Sequence, residues 1–238
     1  MSTTAKTQPK NVVVVLLDSL NRHMLGAYGG DEFDTPNLDR FAGRSTRFDR
    51  HVTGSLPCMP ARHDILCGAL DFLWKPWGSI ELWEESITAA LRRADVTTML
   101  VSDHPHLFET GGENYHVDFS AWDYLRGHEG DPWRTCPDPT AFGAPTITNA
   151  ADGGWFLRDQ LGIADNTYVI LTSDNGGGFR GNAPLKGGKG SLYEGGTREP
   201  FVVRWPGVTQ PGSSCNVPTI HVDIFPTFLE ITDAPKPR

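Results

Sequence analysis

The stretch Asn11–Asp18 reads N-V-V-V-V-L-L-D, an unbroken apolar run that ends on a carboxylate. Its apolar part, Val12–Leu17, is mostly β-branched, which is typical of a strand buried on both faces of a parallel sheet. Three later segments are predicted as further strands: Val96–Val101, Tyr168–Thr172 and Phe201–Val203. The sequence therefore predicts a sheet of buried strands, with the first run as a central strand.

Helix signals lie between the predicted strands. Thr35 and Pro36 form an N-terminal signal, because a threonine cap is followed by a proline at the first helical position. Further helices are predicted over about Pro60–Cys67, Glu84–Ala94, Ile147–Leu161 and His221–Ile231. Strands that alternate with helices indicate an α/β fold, with a mostly parallel central sheet and helices on both faces.

The chain length predicts one main domain. A chain of 238 residues can bury one sizeable core, so we expect a single α/β domain over residues 11–238. Residues 1–10 contain no apolar run and are predicted to be a disordered leader rather than a signal peptide. Residues 105–147 are rich in Pro, Gly and Trp, and we expect them to form an irregular excursion from that domain.

Composition and charge restrict the classes of partner. A formal net charge of −8 argues against nucleic acid as a partner, and no run approaches the length of a membrane span. The cysteines at 58, 67, 136 and 215 are too widely spaced for a zinc pattern or a dense disulfide framework. We therefore expect a protein of a reducing cytoplasm.

Polar side chains follow three of the predicted strands. Asp18 follows the first, Asp103 and His104 follow the second, and Asp174 and Asn175 follow the third. Ligands of such sheets bind beyond the carboxyl ends of the strands, so these side chains should converge. Asp18, Asp174 and Asn175 offer only oxygen ligands, and such ligands favour Ca²⁺ or Mg²⁺ over zinc. The alternative is that they cap the turns after their strands, as Asp and Asn often do.

The segment Ser55–Gly68 carries a second signal, the pattern C-x-P-x-R at Cys58–Arg62. Pro60 suits the first turn of a helix and Gly68 its end, which puts Cys58 just ahead of the helix. The positive end of the helix and Arg62 would favour an anionic nucleophile and an anionic substrate there. The alternatives are a buried structural thiol and a solvated arginine.

Four stretches resemble the sulfatase family, in the order that the family has them. Cys58–Gly68 resembles the signature C-x-P-x-R followed by L-x-G, in which the cysteine is converted to formylglycine. Asn11–Asp18 and Thr35–Ala42 resemble the N-terminal strand and the helix after it. Leu171–Gly177 (L-T-S-D-N-G-G) and Leu185–Gly207 resemble the second metal-binding segment and the strand that follows.

The resemblance implies a divalent cation, with Ca²⁺ preferred and Mg²⁺ or Mn²⁺ as alternatives. Its implied ligands are Asp18, Asp174, Asn175 and the formylglycine made from Cys58. Many sulfatases have a second acidic residue directly after the first, where this chain has Ser19. The implied site therefore has one carboxylate fewer.

The resemblance also implies catalytic roles. Arg62 would hold the nucleophile at position 58, and Lys189 would contact a sulfate oxygen. His106, and with it His104, would contact the substrate or the leaving group, where the family usually has a lysine and a histidine. The alternative for Lys189 is a lysine on a surface loop without a catalytic role, and for His104 and His106 it is that they are turn residues.

The function implied is hydrolysis of a small sulfate ester, with formylglycine-generating machinery as a partner. One alternative is a phosphonate or phosphodiester hydrolase of the same alkaline phosphatase superfamily, because sulfur and phosphorus centres share their geometry. Another is a catalytically inactive metal-binding scaffold, because the chain is shortened in the middle and at the C-terminal end relative to the family. We expect the family's smaller C-terminal subdomain to be absent.

Overall fold

A computed structural model describes residues 11–72, 74–109, 112–126, 164–178 and 182–236. The predicted leader over residues 1–10 and the predicted helix Ile147–Leu161 lie outside these ranges. No helix within them is long and apolar enough to cross a membrane.

The predicted elements that the structure describes occur in the predicted order, with further short strands and one short helix between them. The strands are β1 (Asn11–Leu17), β2 (Thr46–Phe48), β3 (His51–Val52), β4 (Met99–Ser102), β5 (Ala121–Tyr124), β6 (Thr167–Ser173), β7 (Phe201–Arg204), β8 (Ser213–Cys215) and β9 (Thr219–Ile220). The helices are α1 (Pro36–Ala42), α2 (Cys58–Cys67), α3 (Ile87–Arg93), α4 (Glu194–Thr197) and α5 (Ile224–Thr232).

The larger described sheet has five strands in the order β1-β6-β7-β2-β8. β1 and β6 are parallel and in register, from Asn11 opposite Thr167 to Leu17 opposite Ser173. β7 runs antiparallel to both of its neighbours, β6 and β2, while β2 and β8 are parallel. The α/β prediction is confirmed, but this sheet is mixed rather than mostly parallel. Two of its four strand pairs are antiparallel, because β7 reverses direction between two parallel pairs.

The central strand of this sheet is β6, of which every residue is buried. Tyr168 and Ile170 face a core that they share with α2, α3 and α5. Val169 and Leu171 face the opposite side, where Phe41 of α1 packs against them. Helices therefore cover both faces of the sheet, as the sequence predicts.

The predicted central position of Val12–Leu17 is wrong within the described part of the chain. There β1 pairs with β6 on one side only, and Val13 and Val14 are 45% and 38% exposed. An apolar run predicts burial, but burial depends on which strands lie on either side. The carboxyl end of β1 still lies beside that of β6, so the consequence for the site is unchanged.

The prediction that Val96–Val101 forms a buried strand is also wrong, both in the bounds of the strand and in its burial. The observed strand, β4, pairs in parallel with β5 in a separate sheet of two strands. Met99 and Val101 are 62% and 58% exposed. β5 itself lies within the 105–147 segment that was expected to be irregular, because a strand this short carries too little alternation to be predicted.

Helix α2 begins at Cys58, slightly before the predicted start at Pro60, and ends as predicted at Gly68. Gly68 has φ 65°, in the left-handed region that favours glycine. A Cβ at this position would lie 2.7 Å from the ring of Phe225 in α5. The glycine therefore ends α2 and lets it approach α5 closely.

Candidate active site

The strand-end side chains lie together, because β1 and β6 are parallel neighbours in register. The backbone N–H of Ser19 donates to Asp174 Oδ1 at 2.9 Å, and its hydroxyl donates to Asp18 Oδ1 at 2.6 Å. Asn175 Nδ2 donates to the same Asp174 oxygen. The convergence expected from the sequence is therefore present for Asp18, Asp174 and Asn175, whose role as ligands stays a prediction.

Two cationic side chains face these carboxylates. Arg62 Nη2 lies 2.9 Å from Asp18 Oδ2 and 3.1 Å from Asp174 Oδ2. Lys189 Nζ lies 3.0 Å from Asp18 Oδ1, and its backbone N–H donates to the carbonyl of Gly177. The side chain of Arg62 is only 7% exposed, so it is a buried ion-pair partner rather than a solvated helix residue.

The two carboxylates have different pKa values. Burial disfavours the charged form of Asp18, but the nearby Arg62, Ser19 and Lys189 outweigh burial and hold its pKa well below the usual range. Burial raises the pKa of Asp174 to about 6, with Arg62 opposing and Asp18 reinforcing the rise. The site therefore has one firmly ionised carboxylate and a second that an added cation would help to ionise.

Cys58 is buried at the first turn of α2. Burial, reinforced by the charges of Asp18 and Asp174 against those of Lys189 and Arg62, raises the pKa of its thiol to about 11. The expectation that this position favours an anionic nucleophile is therefore wrong for the unmodified thiol. The positive helix end does not outweigh burial and two carboxylates, so the thiol itself is a poor nucleophile.

The candidate histidines line the side of the site formed by the chain after β4. His104 is buried, and its Nδ1 lies 3.8 Å from Asp18 Oδ2. Ligand atoms of Asp18, Cys58 and His104 all lie within 4.8 Å of one another. The ring of His106 lies 5.1 Å from that of His104, and the ring of Trp77 meets His106 edge-on at 4.8 Å.

Sequence reasoning missed the contribution of two residues. The sequence shows Ser19 only as the loss of a carboxylate, but with φ 55° it turns the chain so that it donates to both Asp18 and Asp174. Glu199 is fully buried, and neither carboxylate oxygen has a hydrogen-bond partner among the described residues. Burial, reinforced by Asp174, raises the pKa of Glu199 well above its usual range. The sequence did carry a signal for Glu199, because this acidic residue stands directly before a proline and a predicted buried strand.

Comparison with known proteins identifies the family. The model of the sulfatase family matches residues 10–134 and 157–234, which is most of the chain. The chain belongs to the sulfatase family. The N-acetylgalactosamine-6-O-sulfatase of Bacteroides thetaiotaomicron is 37% identical over 209 residues, which cover 76% of this chain and 38% of that protein. The steryl-sulfatase of Rattus norvegicus is 43% identical over 90 residues, which cover 33% of this chain and 16% of that protein.

Solved structures show the same fold at low sequence identity. Ps i-CgsB superposes with a TM-score of 0.74 at 18% identity, covering 97% of this chain and 73% of its own. The phosphonate monoester hydrolase of Agrobacterium radiobacter superposes with a TM-score of 0.71 at 16% identity, covering 95% and 74%. Even the alignment that runs over the whole chain covers only 65% of the relative concerned, the N-acetylgalactosamine-6-sulfatase of Homo sapiens. This sulfatase-family chain is therefore short relative to that protein, as the resemblance predicted.

The described residues of this sulfatase-family chain fit a divalent cation, which the family generally uses together with a formylglycine. Asp174 Oδ2 and Asn175 Oδ1 are buried without a hydrogen-bond partner among the described residues, although Arg62 lies near the former. A buried oxygen atom without a hydrogen-bond partner costs free energy unless a ligand such as a cation binds it. Together with Asp18, they form a set of hard oxygen ligands suited to Ca²⁺ or Mg²⁺.

Proposed function

We propose that the protein hydrolyses sulfate esters, using a formylglycine made from Cys58 and a divalent cation held by Asp18, Asp174 and Asn175. The observation that carries this proposal is the ion-pair bridge from Arg62, in the C-x-P-x-R helix, to both Asp18 and Asp174. It joins the helix that carries position 58 to the ends of two parallel strands. Membership of the sulfatase family supports the choice of ester.

The chain's own residues would act on a bound sulfate as follows. When present, the hydrated aldehyde and the cation supply an acidic, metal-activated hydroxyl as the nucleophile. Arg62 lies one turn along α2 from position 58 and orients that group. Lys189, paired with Asp18, adds positive charge where the sulfate oxygens become more negative. His106, with His104 beside it, would donate a proton to the leaving oxygen.

The cation proposed is Ca²⁺, with Mg²⁺ or Mn²⁺ as alternatives, because all three protein ligands are oxygens. Formylglycine-generating machinery is the proposed partner. The segment Leu56–Arg62 contains the complete C-x-P-x-R motif that this machinery would recognise. Conversion also removes the obstacle of the buried thiol, whose pKa of about 11 keeps it protonated at neutral pH.

Hydrolysis of phosphonate or phosphate esters is the second candidate. The phosphonate monoester hydrolases of Agrobacterium radiobacter and Silicibacter pomeroyi share the fold, with TM-scores of 0.71 and 0.65. A tetrahedral phosphorus centre presents anionic oxygens to Arg62 and Lys189 in the same way as sulfur does. Turnover of an aryl sulfate compared with that of an aryl phosphodiester decides between the two reactions.

The deciding experiment concerns Cys58. Protein made with the converting machinery should show, by peptide mass spectrometry, an aldehyde at position 58 and an unmodified thiol at Cys67. Cys58→Ala should abolish turnover and leave the circular dichroism spectrum nearly unchanged, with Ca²⁺ still bound, although more weakly, through Asp18, Asp174 and Asn175. Cys58→Ser should also lack multiple turnover, because an alcohol that accepts sulfate has no second hydroxyl with which to expel it.

Two results would contradict the proposal. Full multiple turnover by Cys58→Ala would return Cys58 to the role of a structural thiol. A folded, Ca²⁺-loaded, aldehyde-bearing protein that turns over neither ester would identify the inactive metal-binding scaffold instead.

A further inference from the structure

Three side chains with different ligand chemistry meet at the candidate site. One ligand atom each of Asp18, Cys58 and His104 lies within 4.8 Å of the other two, and no other group of His, Cys, Asp or Glu does so among the described residues. A tetrahedral zinc ion holds its ligand atoms about 3–4 Å from one another. The three atoms are therefore close to the spacing that a single ion imposes.

Each of these ligands comes from a different element. Asp18 follows β1, Cys58 begins α2, and His104 lies in the chain after β4. A zinc site whose ligands are so far apart along the chain has no short spacing motif. The wide spacing of the cysteines therefore gives no sign of the cluster, which only the fold brings together.

Two of the three ligands are already held in place. Cys58 and His104 are only 3% and 4% exposed. The ion pair of Arg62 with Asp18, at 2.9 Å, fixes the helix that carries Cys58 against the end of β1. The backbone N–H of His104 donates to Ser102 Oγ at 3.1 Å, and His104 Nδ1 lies 3.8 Å from Asp18 Oδ2. Binding an ion to ligands that are already ordered costs little conformational entropy.

The chemistry of this set differs from that of the oxygen ligands Asp18, Asp174 and Asn175. A cysteine sulfur, an imidazole nitrogen and one carboxylate oxygen are ligands that Zn²⁺ accepts, whereas Ca²⁺ takes oxygen ligands. A thiolate in particular selects a thiophilic ion. Three protein ligands also leave the fourth tetrahedral position of Zn²⁺ open for water or an anion.

The charges around the cluster can accommodate a divalent ion. Lys189 is half-buried, so its side chain can turn into water and release Asp18 Oδ1 to the ion. When the ion binds, the S–H bond of Cys58 breaks, a bond from sulfur to zinc forms, and the proton goes to water. The thiolate and the carboxylates of Asp18 and Asp174 then largely offset the charges of the ion, Arg62 and Lys189.

We infer that the unconverted protein, in which position 58 is still cysteine, binds Zn²⁺ through the Asp18 carboxylate, the Cys58 thiolate and the His104 imidazole. This inference does not rest on ester cleavage, because the site needs only the thiol. Conversion of Cys58 to formylglycine removes the sulfur ligand and leaves the oxygen ligands. Zinc binding therefore distinguishes unconverted from converted chains.

The first test uses Co²⁺ as a spectroscopic substitute for Zn²⁺, in reduced, metal-free protein from a host without the converting machinery. Coordination by Cys58 should give the near-ultraviolet absorption band of thiolate-to-cobalt charge transfer, and added Zn²⁺ should remove the band by displacing Co²⁺. Cys58→Ala should lose the band. Cys67→Ala is the matched control and should keep it, because Cys67 lies on the same helix but outside the ligand cluster. Bound Co²⁺ without the band, or a band that survives in Cys58→Ala, would overturn the inference.

The second test measures Zn²⁺ affinity by competition with a chromophoric chelator. His104→Phe keeps an aromatic ring but removes the nitrogen ligand, and it should weaken binding by about 100-fold. His106→Phe is its control, because the ring of His106 lies 5.1 Å from that of His104 but contributes no atom to the cluster. Equal affinities of these two variants would rule out His104 as a ligand. If a variant does not fold, by circular dichroism, the cobalt band of the unmutated protein still tests the sulfur ligand.

Aldehyde-bearing protein supplies the last comparison. It should show no thiolate band with Co²⁺ and should bind Zn²⁺ at least about 100-fold more weakly than the unconverted protein, because the sulfur ligand is gone. A band of the same strength in fully converted protein would place the sulfur ligand at another cysteine and overturn the assignment to Cys58.

Discussion

Arg62 is the residue on which the electrostatics of the metal-free site depend. Its buried guanidinium contacts both Asp18 and the fully buried Asp174. Removing one partner of a buried ion pair leaves uncompensated charge, which typically costs about 3–5 kcal/mol. We expect Arg62→Met to lower the free energy of unfolding by about 3 kcal/mol, since Asp18 keeps some contact with water. Urea unfolding in EDTA measures this difference.

Lys189→Met is the matched control, because Lys189 pairs with the same carboxylate from a half-exposed position. Solvent screens such a pair, so we expect a loss of less than about 1 kcal/mol. If both variants lost the same stability, burial of the Arg62 pair would not be the reason for its effect.

At the scale of the element, the end of α2 depends on Gly68. The residue has φ 65°, and an added Cβ would lie 2.7 Å from Phe225 of α5. Gly68→Ala therefore combines backbone strain with a clash, and we expect it to destabilise the protein by about 2–3 kcal/mol. Gly207→Ala is the control, since Gly207 has φ 76° but nothing within 4 Å of its added Cβ. It should lose about 1 kcal/mol from strain alone, measured as denaturation midpoints.

Across the whole molecule, a bound cation would join the ends of β1 and β6 through Asp18, Asp174 and Asn175. Because it binds the folded chain, Ca²⁺ at about 100 times its Kd should stabilise the protein by about 2.7 kcal/mol. Burial raises the pKa of Asp174 to about 6 in the absence of metal, so below that pH Ca²⁺ must displace a proton. The increase in Tm caused by Ca²⁺ should therefore be larger at pH 7.5 than at pH 5.

Asp174→Ala should abolish that increase, while the fully exposed Asp165 provides the control variant Asp165→Ala. Zn²⁺ at the same concentration should stabilise aldehyde-bearing protein less than Ca²⁺ does. In unconverted protein, which keeps the thiol, stronger stabilisation by Zn²⁺ than by Ca²⁺ that disappears in Cys58→Ala would instead identify a site made by Asp18, the Cys58 thiol and His104, whose ligand atoms also lie close together.

Local sequence features predict the helix ends and the members of the site. Pro60 and Gly68 predict α2 almost to its ends, because a proline fits a first helical turn and a left-handed end favours glycine. The apolar run of β6 predicts its burial. Parallel strands ending on Asp18 and Asp174 predict that these carboxylates meet, because neighbouring parallel strands end at one edge.

The neighbours of each element follow from packing across the fold and are not readable from its own sequence. β1 and β6 carry similar apolar runs, yet within the described residues β6 lies between two strands and β1 does not. The buried bridge from Arg62 to two carboxylates likewise joins residues that are distant along the chain. Periodicity and local propensity report only on neighbours in sequence, so contacts across the fold and the pKa values they set arise from packing.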